Sequence, residues 1–563
     1  MKGIGASQGI AIGKIYVKTS RIKLEKTMAE NIEAELVKFY YNIERSKVQL
    51  EEIKKITECK IGADEAKIFE AQVMMLEDPD LVDKVVAKIK NDGVSASWAV
   101  KETTDELALL FQDIEDDYIK ERVLDLKDVS LRLIENILGL KGFEYSSIVE
   151  PVIIVADELT PSDISKISKD KIFGIITETG GATSHTAIMS RVMGLPAIVG
   201  ARGLLNASNN GDILIMNGST GEYYINPEGG LLESFKKERN FQQQQQQALQ
   251  SYIGVKTSTI DGFDISIGCN IGSPEDLEAV LKNDGEGIGL FRSEFLYMGR
   301  NSMPTEEEQF FAYKAAAEAM AGKPVIIRTL DIGGDKQVPY MDFPKEDNPF
   351  LGYRAIRYCL EERDIFRIQL RAMLRASAFG NIKIMLPMIS GVDEVREARL
   401  ELQKSMKELD IRQLDYDKDI DLGIMIETPA AAIISDKLAE EVDFFSIGTN
   451  DLTQYTLAVD RMNSKISDLY TPYHPAVLRL IKLVADNAKK ADIWIGMCGE
   501  AAQDELLVPL FVGIGLNELS VSATQVLKIR KLINSLSKHT MEKHIEDILN
   551  LPNPKSVFDY LKS

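Results

Sequence analysis

The chain has 563 residues, 45% of them hydrophobic and 27% charged, with a formal net charge of −21. That length exceeds what one hydrophobic core organises and predicts about three or four domains. The acidic balance disfavours nucleic acid or an anionic membrane as the main partner. Four cysteines (Cys59, Cys269, Cys359 and Cys498) stand singly with no CxxC, which argues against a disulfide framework or structural zinc and fits a reducing cytoplasm.

The N-terminal stretch MKGIGASQGIAIGKIYV is apolar but broken by Gly, Ser and Gln, so it reads as a strand rather than a signal peptide. No run of 18 or more apolar residues follows anywhere, so no membrane span is expected. From about Lys23 to Leu140 the pattern is helical. Ile32, Leu36, Phe39, Ile43, Leu50 and Ile53 keep a 3/4 spacing that misses one beat at Ser46. EDPD at Glu77–Asp80 marks a turn. A second run places Ile119, Val123, Leu126, Leu133 and Ile137 on one face, with Gly139 as its C-cap. Between Arg21 and Tyr145 there are 28 acidic and 19 basic residues, a net of −9. Such a helical segment has no catalytic constellation of its own; its acidic surface suits docking of a basic partner.

The pattern changes at PVIIVADELTPSD. Short apolar runs (Val152–Val155, Ile172–Ile176, Ala197–Val199, Ile213–Met216) alternate with turns and helical segments, which predicts an α/β unit. If the N-terminal strand pairs into the same sheet, the helical segment is an insertion. Within this unit lies GGATSHTAI, Gly180 to Ile188. Two glycines permit close backbone approach, Thr183 and Ser184 are good N-caps, and the helix they start would aim free N–H groups at an anion carried by His185. Six consecutive glutamines, Gln242–Gln247, then fall in an exposed linker helix.

The C-terminal half shows eight strand-like runs: DISIGCNIG, GIGLFRSEF, PVIIRTLDIGG, IKIMLPMIS, LGIMIETP, FFSIGTNDL, WIGMCGE and ELSVSA. Eight β/α units over about 260 residues predict a TIM barrel, whose working residues lie at the C-terminal strand ends. The second run ends near Arg292 and Glu294, the third near Arg328, Asp331 and Lys336. The fifth ends at Glu427, the sixth at Asn450 and Asp451, and the seventh at Cys498 and Glu500. Arg292, Arg328 and Arg461 can fork onto phosphate and carboxylate. Glu427 and Asp451 are too few oxygen ligands for Ca²⁺ but suit Mg²⁺, which completes its shell with water and substrate. Cys498 beside them is placed to donate a proton. The barrel therefore suits a small phosphorylated carboxylic acid with Mg²⁺.

Taken together, GGATSHTAIMSR, LFRSEFLYM, IIRTLDIGGDK, NPFLGYRAIR, MIETPAA, SIGTNDLTQY and MCGEAA resemble, in order and end to end, the motifs of the phosphoenolpyruvate–protein phosphotransferases, enzyme I of the bacterial sugar phosphotransferase system. The resemblance implies that His185 becomes a phosphohistidine and that Cys498 protonates the enolate leaving group to give pyruvate. It implies that Arg292, Arg328, Asn450, Asp451 and Arg461 hold phosphoenolpyruvate, with Lys336 and Arg354 as further candidates, and that Glu427 and Asp451 bind Mg²⁺. It further implies a phosphohistidine α/β swivelling domain (1–20 and 145–226), a helical domain that docks a small histidine-containing phosphocarrier protein (21–144), a linker helix (227–256) and a barrel that binds substrate and pairs into a homodimer (257–563). Sugar uptake is the process such an enzyme would drive. The alternatives are a pyruvate phosphate dikinase or phosphoenolpyruvate synthase, which would need an ATP-grasp domain ahead of the histidine domain, and a signalling scaffold, which would have lost the site residues.

Overall fold

Strands form where the apolar runs predicted them, and the computed structural model closes eight of them into a barrel. It describes residues 1–563 apart from 19–23, 61–62, 111–116, 141–147, 149, 165–166, 168–169, 182–183, 299, 335–337, 339, 342, 462 and 464, and apart from some helical side chains, those of Ile119 and His185 among them. The chain divides into two compact units, Met1–Gln245 and Gln246–Ser563.

The first unit is built on a seven-stranded sheet. Its strands are β1 (Ile4–Ser7), β2 (Ile10–Lys18), β3 (Val152–Ala156), β4 (Ile172–Thr177), β5 (Ala197–Val199), β6 (Ile213–Asn217) and β7 (Glu222–Ile225), in the order β1-β5-β4-β3-β2-β6-β7. The last of these was not anticipated. Its residues Glu222–Ile225 are half exposed except for Tyr223, so they lack the apolar run that betrays an inner strand. The N-terminal segment supplies two strands of this sheet, and β2 runs parallel to β3 with Lys14 opposite Val152. The chain thus leaves the sheet after Lys18 and re-enters in the neighbouring position. Among the described residues the excursion holds the α-helices α1 (Ile32–Lys60), α2 (Ala63–Glu77), α3 (Pro79–Ala87), α4 (Ala96–Leu110) and α5 (Asp117–Leu138), with a π-helical turn at Lys88–Asp92 after α3.

Their sequence explains their limits. Asp78 caps α3 by accepting from the Asp80 amide at 2.8 Å, with Pro79 at the first helical position, so EDPD is a break between helices. Gly139 ends α5 in the left-handed region at φ 64°. The apolar stripe of α1 buries Phe39, Ile43, Leu50 and Ile53, while Ile32, 39% exposed, stays outside it. The missed beat is itself buried. Ser46 is fully enclosed, donates to Asn42 O at 2.7 Å and accepts from Asn136 Nδ2 at 2.8 Å, clasping α1 to α5. The helix Gly229–Gln250 is not a free linker throughout: Leu231, Leu232 and Phe235 pack against Ile10 and Ile215 of the sheet.

In the second unit β8 (Ser266–Ile271), β9 (Ile288–Arg292), β10 (Val325–Arg328), β11 (Ile382–Leu386), β12 (Leu422–Ile426), β13 (Phe444–Ile447), β14 (Trp494–Met497) and β15 (Glu518–Val521) close a barrel. Every neighbouring pair is parallel. Leu290, Ile326, Met385, Met425, Phe444 and Cys498 pack inside. Alternate residues such as Ile327, Ile384 and Leu519 join the larger core under the surrounding helices. Both faces being buried, the strands read as continuous apolar runs, and each large side chain contributes about 1.5–3 kcal/mol by leaving water. On the outer wall the helix Arg363–Ser377 carries an arginine every fourth residue. Among their partners, Arg363 pairs with Glu401, Arg371 with Glu306 and Glu408, and Arg375 with Glu306.

Arg530, fully enclosed, fixes the start of this unit. It donates to Tyr252 O at 2.8 Å, Asp284 Oδ2 at 2.5 Å, Asp284 O at 2.7 Å and Thr257 Oγ1 at 3.0 Å. No helix of the described residues is long and apolar enough to cross a membrane.

Candidate functional site

In the first unit His185 is the opening residue of the helix His185–Met193. Ser184 is its N-cap, with an extended backbone and a side chain that accepts from the Ala187 amide at 3.4 Å. Gly180 holds a φ of 101°, a conformation side chains rarely adopt, and Gly194 closes the helix in the left-handed region. Thr183, the other predicted cap, lies outside the described residues, as does the imidazole of His185. Gly180, Ser184 and Thr186 line a cavity of about 120 Å³ together with Lys127, Asp128 and Glu158. Burial, with Asp157 adding to it, pushes the Glu158 carboxyl up to about 7. Burial raises Asp128 as well, and Ser162 and Gln72 donate to it.

The second unit carries a cavity of about 500 Å³ at the C-terminal strand ends. It gathers Arg292, Arg328, Arg354, Glu427, Asn450, Asp451, Arg461 and Cys498. Lys336 lies outside the described residues. Arg292 ends β9, Arg328 ends β10 and Glu427 follows β12. Asn450 and Asp451 open the helix Thr449–Leu457, and Cys498 follows β14.

The arginines divide into two kinds. Arg328 is held by Glu294 at 2.5 Å and Asp331 at 3.0 Å, and Arg354 by Asp331 at 2.8 Å, with Asp451 at 3.9 Å. Burial opposes both charges, but the carboxylates outweigh it and hold both guanidiniums above their ordinary range. Arg292 and Arg461 form no ion pair among the described residues, although Arg461 lies beside the Tyr470 hydroxyl. Tyr470 in turn donates to Asn450 O at 3.2 Å, and Asn450 exchanges hydrogen bonds with Glu500.

The lining sets four arginines against five carboxylates, Glu294, Asp331, Glu427, Asp451 and Glu500, each of which the sequence had placed at a strand end. Glu427 is fully buried and accepts from the Met388 amide at 2.5 Å. Burial, reinforced by Asp451 and Asp331 against the pull of Arg328 and Arg354, pushes it up to about 8. Asp451 Oδ1 is buried with no hydrogen-bond partner among the described residues. A pocket with this balance accommodates a multiply charged anion more readily with a cation between the paired carboxylates, and Glu427 with Asp451 fits a small oxygen-preferring divalent ion. No group of three or more His, Cys, Asp or Glu among the described residues forms a complete metal cage. Cys498 is 4% exposed; burial pushes its thiol up to about 11, so it stays protonated at neutral pH.

Several participants escaped sequence reasoning. Tyr455 receives Arg354 at 3.2 Å and donates to Phe350 O at 2.5 Å. Met388, which offers its amide to Glu427, has φ 57°, and Ala355, next to Arg354, has φ 53° and ψ −127°. Non-glycine residues at such angles cost about 1–3 kcal/mol each and cluster at functional sites. Their only possible sequence signal was adjacency to the motifs. The glycines are more legible: a Cβ on Gly499 would overlap Thr449, so the turn after Cys498 requires glycine.

Residues 245–538 match the PEP-binding domain of PEP-utilising enzymes, residues 148–221 their mobile domain and residues 2–122 their N-terminal domain. The phosphoenolpyruvate-protein phosphotransferase of Priestia megaterium is 45% identical over 564 residues, covering 100% of this chain and 98% of that protein. That of Bacillus subtilis is 46% identical, covering 100% and 99%. An NMR solution structure of an Enzyme I protein, 36% identical, covers 43% of this chain and 99% of its own with a TM-score of 0.37.

Proposed function

The chain belongs to the phosphoenolpyruvate-protein phosphotransferase family, and from that premise we propose that His185 takes the phosphoryl group of phosphoenolpyruvate in the barrel cavity and passes it to a histidine of a small phosphocarrier protein, driving sugar uptake in the cytoplasm. The observation that carries this reading is the cavity itself, where unpaired guanidiniums, buried carboxylates and a protonated thiol share about 500 Å³.

Arg292 and Arg461, having no carboxylate partner among the described residues, take the substrate's phosphate and carboxylate. Arg328 and Arg354 are fixed in direction by Glu294 and Asp331 and add charge without moving. Glu427 and Asp451 would hold Mg²⁺, which when bound neutralises anionic charge on the substrate. The neutral imidazole of His185 attacks phosphorus and the bond to the enol oxygen breaks. The enolate carbon then takes the Cys498 proton, giving pyruvate and leaving a thiolate. Because His185 belongs to one compact unit and the cavity to the other, the histidine must enter, react and leave, as a mobile domain permits.

The carrier would dock on the helical segment. Its acidic balance is joined there by apolar side chains set outward on α1, with Val37 69%, Tyr41 68% and Val48 60% exposed. Homodimerisation through the barrel belongs to the same proposal. The test is to incubate the purified chain with phosphoenolpyruvate and Mg²⁺ and to measure acid-labile protein phosphate and pyruvate. His185→Ala should yield neither while still binding phosphoenolpyruvate; sustained pyruvate release by that variant with carrier present would overturn the assignment.

A further inference from the structure

One ionisable group inside the barrel has no part in the chemistry above. Glu518 opens β15 and is 2% exposed. Register places it opposite Gly496 on β14 and brings Leu519 opposite Met497, and beyond the ladder the Asn270 side-chain amide donates to both Cys498 O and Ser520 O at 3.3 Å, which sets those two residues side by side. Met497 and Leu519 belong to the outer core and Cys498 to the inner one. Strand alternation therefore turns Glu518 and Ser520 inward, on the face that carries Cys498, with the Glu518 layer directly beneath it.

The space around this carboxyl is built for it. A Cβ on Gly496 would lie 2.7 Å from Glu518 Oε2, and Cβ atoms on Gly268 and Gly289 would lie closer still to Oε1. Three strands thus omit a side chain where one carboxyl projects. The same Cβ on Gly289 would also meet Ser520 Oγ, so the carboxyl and that hydroxyl border one small space, in which the hydroxyl donates to Asn270 Oδ1 at 2.8 Å. Glu518 Oε2 has no hydrogen-bond partner among the described residues. As a packing solution this is poor, because leucine or methionine would fill the volume without burying an acid. The charged and titratable groups in electrostatic range are Lys383 at the barrel rim, Cys269 and Cys498.

We propose that Glu518 is the proton reserve behind Cys498: once the thiol has protonated the enolate, the Ser520 hydroxyl turns from Asn270 to the thiolate, gives it its proton and takes one in exchange from the neutral Glu518 carboxyl. The inference rests on the proton-donor role proposed above for Cys498. The step balances: an S–H bond forms, a carboxyl O–H bond breaks, and the carboxylate left behind regains its proton from solvent before the next turn. Its direction is downhill, because burial pushes Glu518 up to about 8 and the thiol up to about 11, so the proton rests on sulfur.

Two reactions separate resupply from mere support of the fold. Exchange of labelled pyruvate into phosphoenolpyruvate, run on the full chain with Mg²⁺, uses the same proton back and forth between Cys498 and carbon and needs no reserve. Net turnover, with a phosphocarrier protein as acceptor, consumes one proton per cycle. Glu518→Gln should keep label exchange within about twofold of wild type and lower net turnover at least tenfold, with loss of the alkaline limb near pH 8. Ser520→Ala should show the same split with a smaller drop. Net turnover within twofold of wild type in both variants, or exchange falling in parallel with turnover, would overturn the proposal. Cys498→Ala guards the premise: it should abolish both reactions, and if it exchanged label normally the donor role of Cys498 would fail first.

Discussion

Replacing Glu518 with glutamine should also change how stability depends on pH, by an amount the structure sets. The carboxyl is enclosed and forms no ion pair among the described residues, and burial, against a weaker pull from Lys383, raises it from an ordinary 4.5 to about 8. Between those values the folded chain binds one proton more than the unfolded chain, so the group's contribution to stability falls as pH rises through that window and is flat above about 8. At 1.36 kcal/mol per unit the slope predicts a loss of about 2.7 kcal/mol from pH 5.5 to 7.5, and about 5 kcal/mol over the whole window. Glutamine keeps the size and removes the titration, so the variant should gain on wild type by about 2.7 kcal/mol across that interval. Glu427 contributes a loss of the same sign, but equally in both proteins. The chain has two tryptophans, Trp98 in α4 and Trp494 in β14 against Phe444. In a Trp98→Phe background, fluorescence during urea unfolding reports the barrel alone. Parallel pH slopes in the parent and in Glu518→Gln would refute the claim that this carboxyl is held neutral by burial.

Three further outcomes are expected. Glu427→Ala or Asp451→Ala should raise the Mg²⁺ concentration needed for half-maximal turnover at least tenfold, and turnover indifferent to chelation would exclude a metal role. Cutting the chain within Gln242–Gln247 should give two folded pieces, the first accepting phosphate from phosphorylated carrier and the second binding phosphoenolpyruvate with Mg²⁺; carrier phosphorylation from phosphoenolpyruvate by the second piece alone would put the nucleophile in the barrel. Ala355→Gly should relieve strained backbone and leave the barrel at least as stable, to within about 1 kcal/mol, while weakening phosphoenolpyruvate binding by freeing Arg354; a loss of more than 2 kcal/mol by urea titration would show that the angle is not strained.

The barrel was legible because parallel strands buried on both faces leave unbroken apolar runs, as IKIML and LGIMI do, and because its working groups stand where those runs stop. The pairing of β2 with β3 was legible only as a conditional, since sequence spacing does not say which strands meet across an excursion of more than a hundred residues. Partner choice was hidden altogether. Nothing local distinguishes Arg328, locked between Glu294 and Asp331, from Arg292, which forms no ion pair among the described residues. Ser46 looked like a fault in a helix because its partner Asn136 lies ninety residues away. Within the run ELSVSA nothing marked Glu518, since its enclosure depends on glycines contributed by three other strands. Lys336 and the His185 ring lie outside the described residues.

The Arg530 clamp has a consequence for how the chain can be taken apart. Its guanidinium grips Tyr252 O and Thr257 Oγ1 while pinned to Asp284, so the backbone from Tyr252 onward is part of the barrel wall. Upstream, the described side chains of the glutamine-bearing turns in the helix Gly229–Gln250 are mostly exposed. A nonspecific protease needs a stretch of locally unravelled chain, which those turns can supply and the clamped segment cannot. Digestion should therefore open the molecule in the glutamine turns and stall at Tyr252, leaving a barrel fragment with a sharp N-terminus. In Arg530→Met that edge should fray toward Thr257.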